Sequence, residues 1–333
     1  MPPFPANPAF LEAGKGFRQG HRREECVRQD EPEEEDDRSA GIIAVLSAAV
    51  FIASVLVMTL VHQIGGALTG EAATGAPTSI PLPAITTRQP TESDPAWLRH
   101  ATPFAARDDK PVLSLVILDD GTQSDLAMNA LDWDIPISIA VAADFDASPF
   151  RITQIQQRGG EALVLLPLGY ADDFGRDPNV LRVGLTEEEL LRRLHWHLAR
   201  AGEGVVGVVD HREGDIRRDT TALRVLGDGL AEAQVMMIAT DNSESDSPLS
   251  AVLRHREVPV GRSTAHLSRG DTPEAMRTAL ATAQRHAFAW GTAIVLIEAG
   301  EEPMAVVRDW LTTRGGSITL APITHTIGRL RKG

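Results

Sequence analysis

The sequence predicts an α/β domain with a parallel sheet closed into a distorted (β/α) barrel, preceded by one membrane-spanning helix. Three observations carry that expectation. Short β-branched runs alternate with helical patterns from about residue 111 to 323, the texture of parallel strands joined by crossover helices. Several of these runs are apolar at successive positions, as strands buried on both faces are. Residues 41–61, GIIAVLSAAVFIASVLVMTLV, carry no charge, and about twenty such residues cross a bilayer as a helix. An open doubly wound sheet is the alternative arrangement of the same elements.

Residues 1–40 are rich in Pro, Gly and charge and read as a disordered tail. Their acidic run at 31–37, EPEEEDD, reads as a solvated linker. Polar residues come before the apolar span, which favours an uncleaved signal anchor over a cleaved signal peptide. Lys15, Arg18, Arg22, Arg23, Arg28 and Arg38 precede the span, and no Lys or Arg follows it until Arg88. The positive-inside rule then puts the N-terminus in the cytoplasm and all that follows outside. A bacterial inner membrane with the main domain in the periplasm is the expected setting. Residues 62–110, including GAPTSIPLPAITTRQP, read as a Pro/Thr/Ala-rich linker.

The domain itself is expected over 111–325, with a basic tail at 326–333. Candidate strands are 112–118, 135–141, 162–166, 205–209, 235–239, 258–260, 293–297 and 317–320. Thr186 and Glu189 make a capping box ahead of LLRRLHWHLARAG, and Gly202 supplies the stop. A second helix is expected from Thr272, with Pro273 at its first position, to about Ala289.

Composition removes several functions. A net charge of −14 argues against nucleic acid or an anionic membrane surface as the main partner. Tyr170 is the only tyrosine, which disfavours a sugar-binding face built chiefly from stacked aromatics. Cys26 is the only cysteine, so an intramolecular disulfide and a cysteine zinc site are both excluded. There is no P-loop, no G-x-G-x-x-G after a strand and no G-x-S-x-G.

What remains sits at the C-terminal ends of the candidate strands, where parallel α/β folds build their sites. The run VLSLVILDDG ends in Asp119 and Asp120. Adjacent carboxylates repel unless a metal, a proton or a hydrogen bond offsets the cost. VVGVVDHREGD supplies Asp210, His211, Arg212 and Glu213; Asp241 and Glu298 end two further strands. Acids and a histidine converging there suit a divalent cation, or a carboxylate acting as general base on water. His195 and His197 lie on the helix after Thr186, His197 along its apolar stripe with Leu190 and Leu194, and read as satisfied or solvent-facing helix histidines rather than ligands; His266 and His286 show no ligand spacing.

In their order these motifs resemble the divergent polysaccharide deacetylase family. The resemblance covers about residues 111–323. VILDDG matches its strand ending in Asp-Asp, LVLLPLGY its His-Leu-Pro-Met segment, GVVDH its Gly-Val-Asn-Asn-His strand end, and IATDN its strand ending in Asp-Ser. The resemblance implies a distorted (β/α) barrel that removes acyl groups from envelope polysaccharide or peptidoglycan with a bound metal. It implies Asp120 and His211 as metal ligands, Asp119 as general base and Asp241 as an orienting residue. Leu165 and Ala299 stand where the family has histidines, and IEAG stands for its final Gly-His-Pro. Asp210, Glu213, Asp241 and Glu298 are the candidate substitutes, an acidic set suited to Mg, Ca or Mn rather than Zn. Two readings follow, an active metal-dependent deacetylase and a degenerate barrel that binds glycan or an envelope protein without turnover.

Overall fold

The structure is a computed structural model that describes residues 91–105, 110–169, 178–211, 214–240 and 248–331. The expected tail, the apolar span 41–61 and most of the linker lie outside the described residues. Among the described residues no helix is long and apolar enough to cross a membrane.

Among the described residues nine strands form one sheet: β1 (Val112–Asp119), β2 (Ser138–Ala142), β3 (Glu161–Pro167), β4 (Val205–His211), β5 (Met236–Ala239), β6 (Val260–Arg262), β7 (Ala265–Leu267), β8 (Thr292–Glu298) and β9 (Thr319–Leu320). Their order is β6-β5-β4-β3-β2-β1-β8-β7, with β9 on β1, and every pairing is parallel. From β1 to β6 each strand lies beside its predecessor, so the winding runs one way with no reversal point. A doubly wound sheet would reverse.

The curl is completed by the chain itself. β6 pairs with β5 while β7 pairs with β8. Only Ser263 and Thr264 separate the two strands. The result is a curled parallel sheet with helices around it, a distorted barrel rather than a regular eight-fold one.

The helices are α1 (Ala96–Arg99), α2 (Ser124–Asn129), α3 (Ser148–Gln157), α4 (Glu187–Ala201), α5 (Thr220–Glu232), α6 (Pro248–His255), α7 (Pro273–Trp290), α8 (Glu301–Thr313) and α9 (Ile323–Leu330). The Thr186 hydroxyl caps α4 by accepting from Glu189 N, and Gly202 ends it at φ +85°. The Glu189 carboxylate turns to Arg192 and Arg193 at 2.7 Å each, because a guanidinium outbids a backbone N–H. Thr272 caps α7 in the same way, with Pro273 at the first position.

Period-2 alternation sorts each strand into two faces. Leu113, Leu115 and Ile117 of β1 belong to the layer under the helices, whereas Val116 and Leu118 face the interior. The interior layer continues through Ala140, Leu163, Leu165, Val209, Ile238, Ile294 and Leu296. At the N-terminal end of the strands it is filled by Trp97 of α1 and by Ile323 and Ile327 of α9. The polar groups there satisfy one another. Ser114 Oγ donates to Ala321 O at 2.8 Å and lies 2.7 Å from Thr326 Oγ1. The Glu161 carboxylate accepts from Thr102 N and Thr324 N, both at 3.0 Å, and from Thr324 Oγ1.

Several expected strands differ from what forms. The one expected at 258–260 forms two residues later, as β6 at Val260–Arg262. β2 starts at Ser138 rather than 135, because Asp134 takes φ +55° and Pro136 has no N–H to give a ladder. β7 has no counterpart among the candidate strands, for Ala-His-Leu is too short to show a period.

Candidate functional site at the barrel mouth

The C-terminal ends of the strands form the mouth, and alternation decides which expected residues reach it. Asp119 continues the helix-facing side of β1. It is fully buried, accepting from Gly121 N at 3.0 Å, from Ser124 Oγ at 2.6 Å and from Arg151 at 2.7 Å. Gly121 is required here: its φ is +88°, and the Phe145 ring lies 2.8 Å from where a Cβ would sit. The same ring lies under the Arg151 guanidinium, 4.6 Å from its centroid. The first carboxylate is thus locked beneath the mouth by an ion pair and a turn.

Asp120 is the next residue and projects to the inner side. Its Oδ1 accepts from Thr122 N at 3.0 Å and Thr122 Oγ1 at 2.6 Å, and its Oδ2 takes the Arg269 guanidinium. Burial works against its charge, but the bonds from Thr122 and Arg269 prevail and hold the carboxyl below its ordinary value. Glu298, at the end of β8, follows interior Ile294 and Leu296 to the same side. Its Oε2 accepts from Ser268 Oγ at 3.0 Å and Arg269 N at 2.9 Å, with Arg269 Nε at 3.5 Å. His266 Nε2 lies 3.7 Å from Glu298 Oε1.

His211 ends β4 opposite Pro167, on the inner face with Val209. Asp210 alternates away from it and is buried, held by Thr240 N and by Arg217 at 2.9 Å. Of the expected residues, the structure brings Asp120, His211 and Glu298 to the inner side of the mouth and turns Asp119 and Asp210 from it. Asp241 and Glu213 lie outside the described residues. His197 is buried on α4 with Nε2 3.0 Å from Asn179 O, and His195 is exposed.

Sequence reasoning missed Arg269 and Ser268, and it set His266 aside for want of ligand spacing. All three follow or belong to the unrecognised β7. A guanidinium set between two strand-end carboxylates has no local pattern, and the only trace is the turn SRGDTP.

Among the described residues the donor set does not fit a divalent metal. Among the described residues no three His, Cys, Asp or Glu side chains are grouped to hold an ion. Both Asp120 oxygens are engaged, and Arg269 stands between Asp120 and Glu298 where a cation would bind. Leu165, at the position of a family histidine, is 3 % exposed in the apolar interior. What the mouth offers instead is a set of donors and acceptors, Arg269, Ser268 and Thr122 beside two carboxylates, suited to hydroxyl and amide groups.

The model of a family described as divergent polysaccharide deacetylase matches residues 115–327. No curated protein matches. Among solved structures, an uncharacterized protein from Agrobacterium tumefaciens C58 shares the fold at TM-score 0.62 and 19 % identity, over 69 % of this chain and 94 % of that one. A family 4 carbohydrate esterase from Streptomyces lividans in complex with acetate aligns at TM-score 0.38 and 10 % identity, over 64 % and 92 %. The catalytic domain of a peptidoglycan N-acetylglucosamine deacetylase from Eubacterium rectale ATCC 33656 aligns at 0.39 and 9 %, over 66 % and 92 %. The last two are too remote to carry an argument.

Proposed function

Since the chain belongs to the divergent polysaccharide deacetylase family, we propose that it is a membrane-anchored, periplasmic barrel that binds envelope polysaccharide or peptidoglycan without metal-assisted hydrolysis. One observation carries the choice between binding and turnover. Arg269 occupies the space between Asp120 and Glu298 and satisfies both, so the carboxylate expected to ligate a metal already has its cation.

Each side chain then has a binding role. Arg269 pairs with both acids and holds the Asp120 carboxyl below its ordinary value, which keeps acceptor oxygens at the mouth for sugar hydroxyls. Ser268 and Thr122 add hydroxyls that donate or accept. Asp119, held by Arg151 and Ser124, shapes the floor without reaching the ligand. The membrane anchor and the periplasmic face rest on the apolar run 41–61 and on the Lys/Arg bias ahead of it.

The test uses the full chain in detergent. Bound metal is measured alongside acetate release from acetylated chito-oligosaccharides and peptidoglycan fragments at millimolar divalent cation, and glycan binding by calorimetry. Saturable glycan binding without acetate release is the expected result. Stoichiometric metal, with acetate release abolished by both Asp120→Asn and His211→Ala, would overturn it and restore the deacetylase.

A further inference from the structure

The strand switch that completes the barrel leaves a seam in its wall. Up to Ser263 the backbone bonds run to β5, with Met237 N donating to Pro259 O and Ser263 N to Ala239 O. From Thr264 they run to β8, with Thr264 N donating to Ile294 O. No ladder joins β6 to the first residues of β8, and a cavity of about 1170 Å³ opens there, bordered by α6, α7 and the end of α9.

The chemistry of this cavity is unlike that of the rest of the chain. Among the described residues that line it, Arg262 and Arg331 accompany one carboxylate, that of Glu257, in a protein whose net charge is −14. At the switch itself, Arg262 Nε and Ser263 Oγ are buried and find no hydrogen-bond partner among the described residues. Ser263 is 4 % exposed. A buried donor left unpaired is destabilising, more so when charged, and here two neighbouring residues each carry one beside the same cavity. An acceptor with negative charge answers both.

The volume of about 1170 Å³ is far greater than a bare anion needs and lies somewhat above the ~300–1,000 Å³ of small-ligand sites, so such a ligand would fill part of it. Trp290 at the end of α7 also lines the cavity and is 76 % exposed. It presents an aromatic face on which the C–H side of a sugar ring can lie.

We infer that this cavity is a binding site for an oxyanion-bearing sugar, a phosphate or carboxylate held at Arg262 and Ser263 with the ring against Trp290. The site shares no residue with the mouth, so it stands or falls separately from the function proposed above.

Full chain in detergent is titrated by calorimetry with inorganic phosphate, glucose phosphate, glucuronate and neutral glucose. Glucose phosphate or glucuronate is expected to bind saturably and about tenfold or more tighter than glucose, and which of the two wins identifies the anion. Arg262→Gln and Ser263→Ala should each weaken that binding about tenfold, the effect of losing one charge-assisted or buried bond. Trp290→Ala should weaken the sugar ligands and leave inorganic phosphate unchanged. Ser263→Ala removes one oxygen and keeps the site interpretable if Arg262→Gln does not fold. Absence of saturable binding by either sugar anion overturns the inference, and so does full affinity in a folded Ser263→Ala protein.

Discussion

Glu161 sits at the closed end of the barrel, where β3 begins and α9 enters. Burial pushes its carboxyl up from 4.5 to about 7, against the donors of Thr324 and Thr102, which favour the charged form. The sign of the consequence is definite. Below about 4.5 the folded and unfolded chains both carry the proton, and above about 7 neither does. Between those values the folded chain keeps a proton that the unfolded chain has shed, so stability falls as pH rises through the window. At ~1.4 kcal/mol per pH unit the gap is worth ~3 kcal/mol. Glu161→Gln fixes the neutral form and should remove this slope. Urea unfolding of the detergent-solubilised full chain, followed by tryptophan fluorescence at mildly acidic and mildly alkaline pH, compares the two proteins. The wild type should lose ~3 kcal/mol more than Glu161→Gln across that range. Parallel profiles, or a wild type that gains on the variant as pH rises, would refute the reasoning by showing that the donors at the start of α9 outweigh burial.

Arg269→Ala should change unfolding free energy by no more than about 1 kcal/mol, since the pairs it makes are partly exposed. It should raise the Asp120 carboxyl toward its ordinary value and increase uptake of manganese or zinc in equilibrium dialysis. Unchanged uptake would mean that the guanidinium is not what keeps a cation out. Ile327→Ala, which empties part of the fully buried interior between β6 and β8, should cost about 2–5 kcal/mol in the same urea assay. A loss under about 1 kcal/mol would mean that α9 does not fill the barrel.

The barrel was legible because its strands are buried on both faces and announce themselves as continuous apolar runs; β1 is buried at all eight positions. Caps at Thr186 and Thr272 were legible because a short polar side chain before a helix has one strong use. The mouth was half legible. Asp120, His211 and Glu298 were found because strand ends are where such folds place chemistry. Asp119 and Asp210 share those strand ends, but counting by twos from Val116 and Val209 places each on the opposite face from its neighbour. Arg269 could not be found, since its place depends on a three-residue strand and on two carboxylates far away in sequence. Arg262 and Ser263 were invisible for a similar reason: what makes them notable is the lack of partners, and only coordinates show that.

The interior is completed by the first and last helices of the domain, with Trp97 of α1 and Ile323 and Ile327 of α9 meeting the same strands. This sets an order for biogenesis. A chain that emerges N-terminus first must hold its strands with an unfilled centre until the final turn of α9 has been made. Loss of a few C-terminal residues therefore harms the middle of the protein rather than a frayed end. Truncation within α9 would leave apolar interior surface uncovered, and destabilised chains of that kind are the ones proteases remove.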